Sequence, residues 1–215
     1  METAKSIDAS TRILNAAEQL FTEHGFNGTS MRQITAIAQV NIAAVNYYFG
    51  SKDGLFQEVF ERRAEPFVRL SLSKLDELAN ADDDPVESVV QAFLAAALEL
   101  SRHPEYGGLA FVKLLARSYI EPNLILKEQI PQRYGELSRR YQAALERALP
   151  HLSAREVAWR FHFMTSVIFN AFAGNQVLRL FTAQTVVNAR DPQYVADMLL
   201  PFLVAGLQCP AAEPG

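Results

Sequence analysis

Thr29-Ser30-Met31-Arg32-Gln33-Ile34, followed by Gln39-Val40-Asn41-Ile42-Ala43-Ala44-Val45-Asn46-Tyr47, is the stretch whose reading decides the fold. Met31, Ile34 and Ile37 recur at the spacing of one helix face, and Thr29 before them is a good N-cap residue. Gln39-Val40 reads as a tight turn, and Asn41 caps a second short helix from Ile42 to Tyr47. Two short helices joined by so few residues make a helix-turn-helix, whose second helix can enter a DNA groove. Ala43 and Ala44 are small enough to let that helix approach base edges closely. Asn46 can hydrogen-bond a base edge, and Tyr47 can donate to a phosphate. Lys52 opens the next helix, where a helix N-terminus also favours an anion. Arg32 and Gln33 at the front of the first helix are further DNA-contact candidates, with the two cap residues Thr29 and Asn41.

Upstream, Ile13, Ala17, Leu20 and Phe21 lie at i, i+4, i+7 and i+8, so a helix runs from about Asp8 to His24 with Gly25 as its C-terminal cap. Downstream, Ser51 caps a fourth helix, and Asp53 in its first turn favours the dipole. Leu55, Phe56, Val59, Phe60 and Phe67 form its apolar stripe, and Pro66 predicts a kink. Further helices are expected from Pro85 to about Arg102, Leu109 to Tyr119, Leu124 to Leu149 with a disturbance at Pro131, Ala154 to Phe181, and Pro192 to Leu207. Asn80–Asp84, His103–Gly108, Glu121-Pro122-Asn123 and Thr182–Asp191 read as breaks. Ser153-Ala154-Arg155-Glu156 has capping-box spacing. No strand-like alternation of useful length is present, so the fold class is all-α with about nine helices.

The 215 residues are 49% hydrophobic and 20% charged, an ordinary globular composition with room for a sizeable core. The single cysteine, Cys209, excludes an internal disulfide framework and any multi-cysteine metal site, which fits a reducing, cytoplasmic setting. Residues 1–12 lack a signal-peptide apolar run, and no stretch reaches membrane-span length. The richest, Val157–Phe181, is interrupted by Arg160, His162, Asn170, Asn175 and Arg179. No phosphate loop, dinucleotide fingerprint, His-Glu-x-x-His or nucleophile elbow occurs, so no enzyme activity, metal or cofactor is expected. Ser71-Leu72-Ser73-Lys74 matches Ser-x-x-Lys but lacks that motif's companions, and reads as the solvent-facing end of the fourth helix.

Net charge is −4, so the whole-molecule field does not announce nucleic-acid binding. By charge alone residues 1–66 favour a plain helical hairpin, because phosphate contacts usually dominate affinity. Locally the balance reverses, since from Phe26 to Lys52 the only formal charges are Arg32 and Lys52.

Ile13-Leu14-Asn15-Ala16-Ala17-Glu18-Gln19-Leu20-Phe21, then Gly25-Phe26, Thr29-Ser30-Met31-Arg32-Gln33-Ile34 and Tyr48-Phe49-Gly50-Ser51-Lys52-Asp53-Gly54-Leu55, resemble the N-terminal domain of the TetR family of bacterial repressors. The match covers about Thr11–Phe60, with the elements in the family's order and spacing. Two positions depart from the family pattern. Gln39 stands where many members carry Gly, and a left-handed backbone there would cost about 1 kcal/mol. Asn46 stands where many carry Tyr, which bears on sequence preference. Val40 to Lys52 further resembles a fatty-acid-responsive, PsrA-like branch, with weaker echoes at Trp159–Met164 and Pro201–Gly206.

The resemblance implies a DNA-binding domain over residues 1–52, with its helix-turn-helix at about 30–50, and an effector-binding and dimerisation domain over 53–215. It places the effector among helices 4–8, where Phe93, Phe111, Leu114, Leu115, Tyr119, Phe163 and Phe169 supply apolar material. Arg117 and His162 are the polar groups that could anchor a headgroup. Val167, Phe172, Leu178, Leu199, Phe202 and Leu203 exceed what one small core needs, and an intersubunit four-helix bundle would bury them. The expected function is a homodimeric repressor released from a palindromic operator by a small hydrophobic effector, such as a fatty acid or acyl derivative. Its expected partners are double-stranded DNA, the effector and a second copy of the chain, with no membrane. The alternative is a helical ligand-binding or adaptor protein that does not read DNA.

Overall fold

A computed structural model describes residues 8–78, 85–103, 108–118, 124–173 and 191–211, with the side chains of residues 78, 109, 117–118 and 124–133 left aside. Among the described residues the chain forms nine α-helices and no strand. They are α1 (Ala9–Gly28), α2 (Met31–Ala38), α3 (Ile42–Phe49), α4 (Lys52–Leu78), α5 (Pro85–Arg102), α6 (Gly108–Ser118), α7 (Leu124–Ala148), α8 (Ala154–Phe172) and α9 (Pro192–Gln208).

Local chemistry accounts for most of the boundaries. Asp8 caps α1 by accepting the Thr11 amide at 2.7 Å, which holds its carboxyl below the ordinary value. Ser153 caps α8, and Asp191 caps α9, where Pro192 takes the first helical turn. α4 is a single element through Pro66, as is α7 through Pro131. The predicted break segments at 80–84, 104–107, 121–123 and 182–190 lie outside the described residues. So do the continuation of α8 to Phe181 and the side chains of Arg117, Tyr119 and Leu178.

α1, α2 and α3 form a compact head, in which Ile13, Ala17, Phe21, Ile34, Ala38 and Val45 are buried. α4 leaves this head and packs against α5 and α7, while α5 also contacts α9 and α6 contacts α8. Ring pairs dominate the core of the larger part. Tyr141 is fully buried and donates its hydroxyl to the Ser71 carbonyl at 2.9 Å; burial also pushes its pKa upward. Ser71, expected to face solvent, is therefore an interior residue beneath α7.

Candidate nucleic-acid interface and ligand cavity

The helix-turn-helix is built from three interlocked caps. Ser30, one residue after the predicted cap, opens α2 in a capping box with Gln33, whose Oε1 accepts from the Ser30 amide at 2.8 Å and the Ser30 hydroxyl at 2.7 Å. Thr29 turns inward. It is 2% exposed and its hydroxyl bridges the Leu20 and Gly25 carbonyls at 3.0 and 2.8 Å. The site prediction for Thr29 is thus corrected: its hydroxyl ties the start of α2 to the end of α1 and is not presented to a ligand. Gly25 adopts φ 74°, ψ 175°, a conformation essentially confined to glycine, and breaks α1 at the position expected for its cap. Gln39 ends α2 in the left-handed region at φ 54°, ψ 50°, and so holds the strained conformation that the family's glycine would accept freely.

Asn41 caps α3 by accepting the Ala44 amide at 2.8 Å. Val45 anchors the helix in the core, leaving Ile42, Ala43, Asn46 and Tyr47 exposed on the opposite side, with Tyr47 83% exposed. Ala44 is half-buried and packs inward. Arg32 and Gln33 are exposed beside this face. Gly50 at φ 72° closes α3, and Ser51 starts α4 by accepting the Gly54 amide on its Oγ at 3.0 Å. Gly54 was not singled out from sequence. A Cβ there would lie 2.3 Å from the Phe49 carbonyl oxygen, so only glycine lets α4 begin this close to the end of α3. Lys52 rests its ammonium 4.2 Å from the centre of the Phe26 ring, and burial lowers its pKa against the opposing charge of Asp53.

A cavity of about 300 Å³ lies between α4, α5, α6, α7 and α8. Phe60 and Phe67 reach it from α4, Phe93 from α5, Leu115 from α6, Tyr134, Ser138 and Gln142 from α7, and Phe161, His162 and Phe169 from α8. The structure brings together three predicted effector residues there, Phe93, His162 and Phe169. His162 is also exposed, so it marks the cavity's mouth. Phe111 and Leu114 are buried but sit away from the cavity lining. Phe163 is 57% exposed and lies off the lining, one helical position round from His162, because successive residues turn by about 100°. The effector prediction for Phe163 is corrected accordingly.

α4 physically joins head and cavity. Arg63 grips Glu18 of α1 with two bonds at 2.9 and 3.0 Å, and Arg62 donates to Asn15 at 2.7 Å. A run of rings continues the link. Phe26, beneath Lys52, meets Phe56 at 5.1 Å, Phe56 meets Phe60 at 6.4 Å, and Phe60 meets Tyr134 of the cavity wall at 6.0 Å.

Residues 13–59 match the family described as bacterial regulatory proteins of the tetR family, and residues 91–206 match the tetracyclin repressor-like C-terminal domain. The chain belongs to the TetR family. The repressor NicS of Pseudomonas putida is 32% identical over 118 residues, 52% of this chain and 49% of that protein. The repressor BepR of Brucella suis is 32% identical over 102 residues, 46% of this chain and 47% of that protein. The chain thus spans about half the length of these curated relatives. These matched proteins are regulators, not enzymes. Among solved structures, the fatty acid degradation regulator FadR of Bacillus halodurans aligns with 96% of this chain and all of its own, at TM-score 0.64 and 17% identity. FadR of Bacillus subtilis, solved with stearoyl-CoA, aligns at TM-score 0.63 and 14% identity over 91% of this chain and 97% of its own. At these identities the likeness is one of fold.

On this TetR chain, α8 and α9 carry an unusual outer surface. Trp159, Phe163, Met198 and Phe202 are all more than half exposed, and Trp159 and Phe163 pack as a ring pair at 5.6 Å. Of the predicted dimer residues, Phe202 is exposed and Val167 and Leu199 are half-buried, whereas Phe172 and Leu203 are buried within the protomer. Phe172 and Leu203 are therefore corrected to core positions, while Trp159 and Met198, which were not among the predicted dimer residues, belong to the outer face. Arg160 reads in the sequence as an interruption of an apolar run and as part of the Trp159–Met164 echo. It is 7% exposed and donates to the carbonyls of Leu207, Cys209 and Pro210 and to the Glu156 carboxylate, clasping the C-terminal end of α9 to α8. Among the described residues no helix is long and apolar enough to cross a membrane, and no group of three metal-ligating side chains is present.

Proposed function

We propose that this chain is a DNA-binding transcriptional repressor that acts as a homodimer and is released from a palindromic operator by a small apolar effector. The observation that carries the reading is the exposed face of α3, held by capped turns and flanked by Lys52 and Arg32, on a head whose next helix forms a wall of the cavity. In this reading residues 1–52 are the DNA-binding domain and 53–215 the effector and dimer domain, working in the cytoplasm. Ala43 and Asn46 meet base edges in the major groove, while Tyr47, Lys52 and Arg32 meet the phosphate backbone. The outer face of α8 and α9 buries against a second copy, which supplies the two-fold symmetry a palindrome requires. An effector that fits better in one arrangement of α4 shifts the dimer away from a spacing of about 34–36 Å between reading helices. Fatty acids and acyl derivatives belong to this effector class. The fold shared with a regulator solved with stearoyl-CoA supports them as candidates.

Operator selection followed by titration tests the reading. Tyr47→Ala with Lys52→Ala should weaken binding on every sequence and reduce the slope of log affinity against log salt by about 1 or more. Asn46→Ala should change the ranking among operator variants. Operator binding left intact by all three substitutions would overturn the contact assignment, and a wild type that prefers no palindromic site would return the chain to the adaptor alternative.

A further inference from the structure

Four rings pack on one another at the cavity, where Phe161 and Phe169 keep more accessible surface than Phe67 and Phe93 behind them. Phe67, Phe93 and Phe169 form a triangle in which every pair is edge-to-face, with centroids 5.7–5.8 Å apart. Phe161 meets Phe93 edge-on at 6.3 Å. All four line the cavity. Such walls offer ring faces and edges that favour an aromatic guest over an aliphatic one of equal area.

Volume limits the guest's size. An engineered apolar cavity of about 150 Å³ takes one benzene. The 300 Å³ here is twice that, which matches two fused rings.

Polarity limits its charge. On the α7 wall, Gln142 Nε2 donates to Ser138 Oγ at 2.6 Å. The Ser138 hydroxyl proton and the Gln142 carbonyl oxygen have no other partner among the described residues. They offer one donor and one acceptor side by side, the complement of a hydroxyl group. A carboxylate would accept from Ser138 but oppose the Gln142 lone pairs, and among the described lining residues only His162, at the exposed mouth, could carry a positive charge.

We infer that the cavity takes an uncharged two-ring aromatic compound bearing a hydroxyl or equivalent donor-acceptor group, held by the Phe67, Phe93, Phe161 and Phe169 rings and oriented by Ser138 and Gln142. The inference rests on the effector reading of this cavity and sets a neutral aromatic in place of its fatty-acid candidates.

The test is titration of the full chain at pH 7 with 2-naphthol, naphthalene, 2-naphthoate and decanoate. The first and third share a ring system but differ in charge, because a phenol titrates near 10 and a carboxyl near 4. One 2-naphthol should bind per protomer, at least ~10-fold tighter than 2-naphthoate. Ala158→Phe, which enlarges a lining side chain, should weaken 2-naphthol about 10-fold or more. Gln142→Leu should weaken 2-naphthol roughly 3–10-fold and leave naphthalene unchanged, the signature of one neutral hydrogen bond. Should Ala158→Phe fail to fold, the Gln142→Leu comparison decides the site.

The inference is overturned if 2-naphthoate or decanoate binds as tightly as 2-naphthol, if 2-naphthol ignores both substitutions, or if no probe binds. Operator affinity measured on the same preparations keeps the two readings apart. A protein that binds operator but prefers decanoate refutes the ligand class alone, whereas one that binds 2-naphthol but no duplex refutes the repressor reading.

Discussion

Arg160→Met removes one charge and keeps the length of the aliphatic stem. In the folded chain the Arg160 guanidinium donates to three backbone carbonyls just past or at the end of α9 and to Glu156 one turn earlier on α8. Those carbonyls are among the groups a helix end leaves without partners, and a cation there also meets the favourable end of the dipole. With Met in place, the Leu207 carbonyl stays buried without a donor, while those of Cys209 and Pro210 can turn toward water. The Glu156 carboxylate keeps some solvent access and the nearby N-terminus of α8. One buried orphan acceptor and the loss of several charge-assisted bonds together come to about 3–5 kcal/mol. For a chain of this size each 1 kcal/mol moves the melting temperature by about 2–4 °C, so the variant should melt roughly 6–20 °C lower. Because the clasp holds together the two helices that carry Trp159, Phe163, Met198 and Phe202, the variant should also dissociate more readily from its proposed partner copy. Calorimetric melts at two protein concentrations, with sedimentation at the same concentrations, read both effects. Arg160→Lys should recover only part of the loss, since an ammonium cannot span four acceptors in a plane. A methionine variant melting within 2 °C of wild type, with unchanged association, would refute this reasoning.

The head yields three more expectations. Gln39→Gly should stabilise the chain by about 1 kcal/mol in chemical denaturation, because glycine accepts the left-handed turn without strain. Gly54→Ala should cost about 1–3 kcal/mol and weaken operator binding together with stability, since its Cβ must push the start of α4 away from the Phe49 carbonyl; an alanine variant with wild-type melting and binding would contradict the close approach. Asp8 has its folded pKa depressed by the Thr11 amide, so its contribution is present above the ordinary Asp value and lost as pH falls through the lower folded value. Asp8→Asn should remove that part of the acid dependence, which paired melts from pH 5 down to pH 2 would show as converging curves for the two proteins.

The sequence by itself determined the helical class, the order of the helices among the described residues and the helix-turn-helix, because those features are written in signals that act within a turn or two. Asn41, Ser51 and Ser153 each accept the amide three residues on, and Gly25 supplies a positive φ that its residue type alone permits, so their roles follow from residue type and spacing. Even there the choice between Thr29 and Ser30 was not local: a threonine hydroxyl suits a cap, and only the packing of α1 against α2 directs it to the Leu20 carbonyl instead. The rest was settled by contacts between distant segments. Phe93, Phe111 and Phe163 are alike in sequence terms, each an aromatic on an amphipathic helix, yet one lines the cavity, one fills the core and one faces outward. Helical periodicity tells which residues share a face but not which neighbour that face meets. Arg160 shows the same limit from the polar side. Its Glu156 partner sits at the legible i,i+4 spacing, but the other three lie 47 to 50 residues away and are backbone carbonyls, which no residue type announces. Only when α9 folds back along α8 does a charge that interrupts an apolar run become the group that holds the two helices together.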